Sequence, residues 1–147
     1  MPLGGLSFDA SGNLYGTTYG DSGYSSGVFE LSGTNFQTYT ALYNNRIDPS
    51  YTFSAPVSTL TVDAAGNLFG AAIGGGTGNG VIFELSGANH QIVTALATFN
   101  GSNGSGPYSA VIFDSSGNLY GDTLYGGSGS CSNDGITGCG TVFEIKP

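Results

Sequence analysis

The sequence predicts an all-β chain made of three copies of one unit, each with three or four short strands. The first observation is an internal repeat. P-L-G-G-L-S-F-D-A-S-G-N-L-Y-G opens at Pro2, P-V-S-T-L-T-V-D-A-A-G-N-L-F-G at Pro56 and P-Y-S-A-V-I-F-D-S-S-G-N-L-Y-G at Pro107. Each copy continues through a loop into G-V-F-E-L, V-I-F-E-L or T-V-F-E-I. The Gly-Asn pairs fall at Gly12-Asn13, Gly66-Asn67 and Gly117-Asn118, 54 and then 51 residues apart. The second observation is composition: 27 Gly, nine Tyr, nine Phe and no Trp among 147 residues. Gly interrupts nearly every window, and Tyr, Phe, Thr and Val dominate the rest, so no amphipathic helix is predicted. A period of about fifty residues with several strands per copy is the pattern of β-propeller blades.

The first unit, residues 2–55, justifies each element in order. Strand A covers about residues 3–9, with Leu6 and Phe8 alternating. D-A-S-G-N is a tight turn, in which Asp9 accepts from backbone amides ahead of it and Gly12 takes positive φ. Strand B covers about residues 14–19. A Gly/Ser loop leads to strand C, residues 27–31, and Ser32-Gly33-Thr34-Asn35 turns the chain into strand D, residues 36–43. The second unit, residues 56–106, repeats all four, with D near residues 91–99. The third, residues 107–147, reaches only strand C. The whole is one domain, residues 1–147, with eleven strands expected. Propellers typically close with about four to eight blades. Two copies of this chain supply six, so a homodimer is expected, with part of a longer repeat array as the alternative.

Charge narrows the partners. Lys146 and Arg46 stand against ten carboxylates, for a net charge of −8. Phosphate backbones and anionic membranes need basic contacts that this chain lacks, which excludes nucleic acid and disfavours membranes. Neutral small molecules, glycans and divalent cations remain. No apolar run is long enough to span a bilayer. Met1 leads directly into the first repeat with no signal peptide in view, so the sequence reads as a mature segment or part of a longer repeat protein.

Residues that recur in every unit are expected to serve the fold. Asp9, Asp63 and Asp114 are turn caps, and Glu30, Glu84 and Glu144 are strand C positions. Tyr15, Phe69 and Tyr120, with Phe29, Phe83 and Phe143, are expected between blades. His90, the single histidine, falls in a C–D turn. Cys131 and Cys139 sit eight residues apart in the longest B–C loop, a separation that suits a disulfide across a hairpin mouth.

The polar residues that do not repeat are the candidates for chemistry. B–C and D–A loops of a propeller share one end of the ring. Asp21 and Asp134 lie in B–C loops, Arg46, Asp48 and Tyr51 in the first D–A loop, and Asn100, Ser102 and Asn103 in the second. Asp122 stands in strand B, where the other units have Thr17 and Ala71. Oxygen ligands with few competing ammonium groups suit Ca²⁺, and Asp21, Asp48, Asp122 and Asp134 are its candidate ligands. No D-x-D-x-D-G loop and no G-x-S-x-G elbow occurs, so ordinary solvated loop acids remain the plain alternative.

Two resemblances bear on these candidates. G-N-L-Y-G-T-T-Y-G at residues 12–20 and G-C-G-T-V-F-E-I at residues 138–145 resemble the tandem GloVer repeats of secreted bacterial proteins, named for Gloeobacter and Verrucomicrobia. That resemblance covers nearly the whole chain. It implies secretion to the periplasm or beyond, and it implies no particular activity. More distantly, G-L-S-F-D-A-S-G-N-L-Y at residues 5–15 is similar to the first hairpin of NHL-type blades. Such hairpins also occur in gluconolactonase-like and paraoxonase-like propellers, which are six-bladed, calcium-dependent lactone and ester hydrolases. Neither a calcium-liganding Glu nor a catalytic His aligns, so no site residue carries over. The resulting expectation is a calcium-dependent hydrolase of small neutral lactones or esters. In it Ca²⁺ polarises a carbonyl, Asp122 or Asp48 activates water, and Arg46 or Tyr51 stabilises the oxyanion. The alternative is a non-catalytic carbohydrate-binding or structural propeller.

Overall fold

The computed structural model describes residues 1–20, 25–46, 52–133 and 136–146. The fold is all-β, with three antiparallel sheets, one per repeat, packed in series. No ring closes among the described residues. The first sheet has the order β1-β2-β3-β4, with β1 at Ser7–Phe8, β2 at Leu14–Thr18, β3 at Gly27–Ser32 and β4 at Thr38–Asn44. The second is built on β7 (Leu68–Gly75), β8 (Val81–Ser86) and β9 (Ile92–Thr98). Both β5 (Phe53–Pro56) and β6 (Thr61–Val62) pair with β7. The third has the order β10-β11-β14, at Ile112–Phe113, Leu119–Thr123 and Thr141–Ile145, with a separate hairpin of β12 (Ser132–Asn133) and β13 (Ile136–Thr137).

The A–B–C–D order expected for the first two units is therefore found, and the third stops after strand C. Strand A is shorter than expected and divided. In the second unit β5 pairs with the far end of β7, and the chain leaves the ladder before β6 resumes it. The sequence explains the break. Ala55 has a φ of 52°, Pro56 has no amide hydrogen, and Ser58 Oγ accepts the amide of Ala71 at 2.8 Å in place of a ladder bond. The third unit repeats the arrangement, with Ser105 bridging Tyr125.

Strand-B glycines explain how the sheets pack so closely. A Cβ at Gly16, Gly70 or Gly121 would lie 2.5 Å from the ring of Phe29, Phe83 or Phe143 on the neighbouring strand C. The absent side chain thus makes room for the aromatic one in every unit.

Two cores form, each between consecutive units. Tyr15, Val28 and Tyr43 of the first sheet meet Phe53, Leu60, Leu68, Phe83 and Leu85 of the second. Phe53 stacks between Tyr43 and Phe83 with both ring centroids at 3.9 Å, and Tyr43 Oη donates to Phe53 O at 2.6 Å. Phe69, Ala71, Ile82 and Phe99 of the second unit meet Val111 and Leu119 of the third. Short links tie the inner strands: Ser7 Oγ donates to Leu60 O, and Thr61 Oγ1 donates to Val111 O. Each sheet therefore has an incoming face, which packs on the unit before, and an outgoing face, which packs on the unit after. Of the aromatics expected between units, Tyr15, Phe69 and Phe83 are buried, whereas Phe29, Tyr120 and Phe143 are half-buried. Phe29 and Tyr120 lie on the first unit's incoming face and the third unit's outgoing face, which no described sheet covers.

Candidate functional site

The repeated aspartates are turn caps. Asp9 Oδ1 accepts the amides of Ser11 and Asn13 at 2.9 and 2.8 Å, and its Oδ2 accepts Asn13 Nδ2 at 2.9 Å and Tyr15 Oη at 3.0 Å. Asp63 and Asp114 repeat the backbone and Asn bonds at 2.8–2.9 Å. Tyr120 Oη closes the third set at 3.2 Å, while Phe69 has no hydroxyl to offer Asp63. Burial raises the pKa of Asp9, but the bonds from Asn13, Tyr15 and Ser11 outweigh it and leave the pKa lowered. The Asn118 side chain leads the same lowering at Asp114. Burial, then the bond to Asp9, pushes the Tyr15 phenol up to about 12, and the bond to Glu144 pushes that of Tyr120 up to about 12. These carboxylates are committed to acceptor roles within their turns.

The opposite end carries the variable loops, and those of the second and third units interlock. Gly106 donates to Asn79 O at 2.9 Å, Gly127 to Gly101 O at 2.9 Å, and Thr77 Oγ1 to Phe99 O at 2.6 Å. Asn100 Oδ1 accepts Ser102 N, Ser102 Oγ and Asn103 N, and Asn103 Nδ2 donates to Thr98 O. These amides and hydroxyls hold their own turn. Cys131 and Cys139 are bonded, with Cα atoms 5.0 Å apart across the β12–β13 hairpin. The cystine is compatible with an extracellular or periplasmic location. No helix among the described residues is long and apolar enough to cross a membrane.

Asp122 is the one candidate metal ligand within the described residues. It lies in β11 opposite Val142, on the outgoing face of the third unit, and is exposed. It lines a groove of about 390 Å³ with Tyr108, Ser109, Thr123 and Thr141. Its counterparts Thr17 and Ala71 are 1% and 0% exposed between sheets. Arg46 donates its amide to Asn44 Oδ1 at 3.0 Å. Asp21, Asp48, Tyr51 and Asp134 lie outside the described residues. No group of three or more His, Cys, Asp or Glu that could hold a metal occurs among the described residues.

Several features had no clear signal in the sequence. His90 is half-buried, with Nε2 2.9 Å from Gly66 O and its ring 5.6 Å from that of Tyr15 in the preceding unit. The first unit holds a cavity of about 670 Å³ lined by Met1, Tyr19, Tyr39, Tyr43 and Asn44. Comparison with protein-family models, with curated proteins and with solved structures finds no match to this chain.

Proposed function

We propose that the chain is a non-catalytic interaction module: three blades of a β-propeller whose two open faces pair with those of a second copy to close a six-bladed ring. One observation carries this reading, the exposure of repeat-equivalent positions. On the incoming side Leu60 and Val111 are 2% and 0% exposed, while Leu6 is 56% exposed. On the outgoing side Val28 and Ile82 are 1% and 0% exposed, while Val142 is 84% exposed. The same apolar residue is thus buried wherever a neighbouring unit covers its face and bare where no described unit does. The chain carries both halves of an interface that it already makes twice internally, and a two-fold pairing satisfies both at once. A charge on either face tests this: Leu6→Glu or Val142→Lys reduces association in sedimentation velocity while the circular dichroism of the sheets is retained. Association unchanged by both substitutions contradicts the reading.

A second reading, the calcium-dependent hydrolase, is favoured by the exposed Asp122 carboxylate in its groove beside Tyr108, Ser109 and Thr141. Ca²⁺ would take carboxylate and carbonyl oxygens there and polarise a lactone carbonyl. Its test is a panel of neutral lactones and esters assayed with calcium and with chelator, on wild type and Asp122→Asn. Turnover that chelation and the substitution both remove supports it, and no turnover rejects it.

A further inference from the structure

We propose that Asn79-Gly80, in the loop between β7 and β8, is a self-modification site: it deamidates through a cyclic imide, and the isoaspartate formed releases a contact between the second and third units. Both sides of that contact lie inside the chain, so the proposal does not depend on ring closure.

Asn-Gly is the dipeptide most prone to this reaction, because glycine has no side chain to hinder attack by its own amide nitrogen. The chain holds three: Asn79-Gly80, Asn100-Gly101 and Asn103-Gly104. The reaction needs two freedoms. The glycine nitrogen must give up its proton, and the asparagine Cγ must swing onto that nitrogen. Two of the three dipeptides are denied both. Gly101 donates its amide to Gly104 O at 2.9 Å, and Gly104 donates back to Gly101 O at 3.4 Å. Asn100 Oδ1 accepts Ser102 N, Ser102 Oγ and Asn103 N at 3.0, 2.8 and 3.2 Å. Asn103 Oδ1 accepts Asn100 N at 2.8 Å, while its Nδ2 donates to Thr98 O at 3.1 Å. Swinging either Cγ breaks bonds that hold the whole turn.

Asn79 is held far less. Its Nδ2 donates one long bond, to Thr77 Oγ1 at 3.3 Å, and its Oδ1 takes no donor among the described residues. The Gly80 amide likewise meets no acceptor among the described residues. The steps then balance with water and base alone. Base takes the Gly80 amide proton, the nitrogen bonds to Asn79 Cγ, and the side-chain nitrogen leaves as ammonia. Water opens the imide at either carbonyl. Opening at Cγ gives aspartate on an unchanged main chain. Opening at the α-carbonyl gives isoaspartate, whose main chain runs through Cγ and is longer by a methylene. Either product adds a negative charge.

The isoaspartate matters because of what the loop holds. Asn79 O accepts the amide of Gly106, from the start of the third unit's link, at 2.9 Å, and Gly80 O accepts Phe99 N at 3.0 Å. In isoaspartate the former Asn79 carbonyl belongs to a free carboxylate off the main chain, and Gly80 is displaced by the inserted methylene. The bond to Gly106 loses its placed acceptor.

The test incubates the intact protein at mildly alkaline pH, in buffer and in guanidinium chloride, and maps the products by mass spectrometry with fragmentation that distinguishes isoaspartate. In buffer, Asn79 is expected to convert at least tenfold faster than Asn100 and Asn103. In denaturant the three are expected to converge to within about threefold, because the folded-state bonds are gone. The isoaspartate fraction, separated by ion exchange, is expected to exchange the Gly106 amide hydrogen at least tenfold faster than unmodified protein. Asn79→Gln is expected to keep its Gly106 protection through the same incubation. Conversion of Asn100 or Asn103 as fast as Asn79 in buffer, an Asn79 that converts only in denaturant, or unchanged Gly106 exchange in the isoaspartate fraction would each overturn the proposal.

Discussion

Asp63 holds its turn by dividing its two carboxylate oxygens. Oδ1 takes the amides of Ala65 and Asn67, and Oδ2 takes Asn67 Nδ2. Asp63→Asn keeps the first acceptor but aims an amide donor at the Asn67 amide. It is expected to lower stability by ~1 kcal/mol in denaturant unfolding, with no effect on association. Asp9 and Tyr15 give the fold its sensitivity to pH at the two extremes. The folded Asp9 pKa lies below the ordinary 3.8, so its contribution is present above 3.8 and is lost as pH falls through the lower folded value. The folded Tyr15 pKa, about 12, lies above the ordinary 10.0, so its contribution is full below pH 10.0 and is lost as pH rises through about 12. Stability measured against pH is expected to decline between those values in wild type, with a shallower decline in Tyr15→Phe. The caps were legible in the sequence because the same Asp precedes Gly-Asn in every unit. The roles of His90 and Asp122 were not. His90 finds its contact in Tyr15, 75 positions earlier in the sequence and in another sheet. Asp122 takes its face from a strand register that a non-repeating residue does not announce.

Strand order followed from the repeat and from the alternation of apolar residues before the Gly-Asn turn, whereas the fit of strand-B glycines to strand-C phenylalanines emerged only with the register. The divided strand A was not legible, because the break rests on a serine hydroxyl replacing a backbone partner at Ser58. The cystine was legible from spacing alone. Intact mass with and without reductant is expected to differ by about two protons, and Cys131→Ser with Cys139→Ser to cost about 2–3 kcal/mol from the short loop released. Native protein with free thiols would contradict the pairing. The outgoing face of the third sheet carries the most telling substitution. Asp122 occupies a position that Thr17 and Ala71 fill in full burial, so the proposed ring closure would take a carboxylate out of water. Asp122→Thr is therefore expected to tighten self-association at least tenfold, about 1.4 kcal/mol, in concentration-dependent sedimentation. Weaker association in this variant would mean that Asp122 makes a favourable contact across the interface.

The three sheets are alike enough that their two contacts serve as the template for the proposed third. Leu6 and Val142 are bare in the chain, while their counterparts are sealed between sheets. The repeat period made the series of units legible in the sequence. Which residues lie on the open faces needed the register, and the composition of the variable loops says little about chemistry because Asn100, Ser102 and Asn103 spend polar atoms on one another and on Thr98 O. A six-bladed ring from two copies makes the strongest demand on the whole molecule, and light scattering coupled to size exclusion tests it most directly. The ring requires a mass twice the 14.8 kDa of the chain, independent of concentration in the micromolar range. A stable 14.8 kDa species across that range, with the sheets folded, would contradict it.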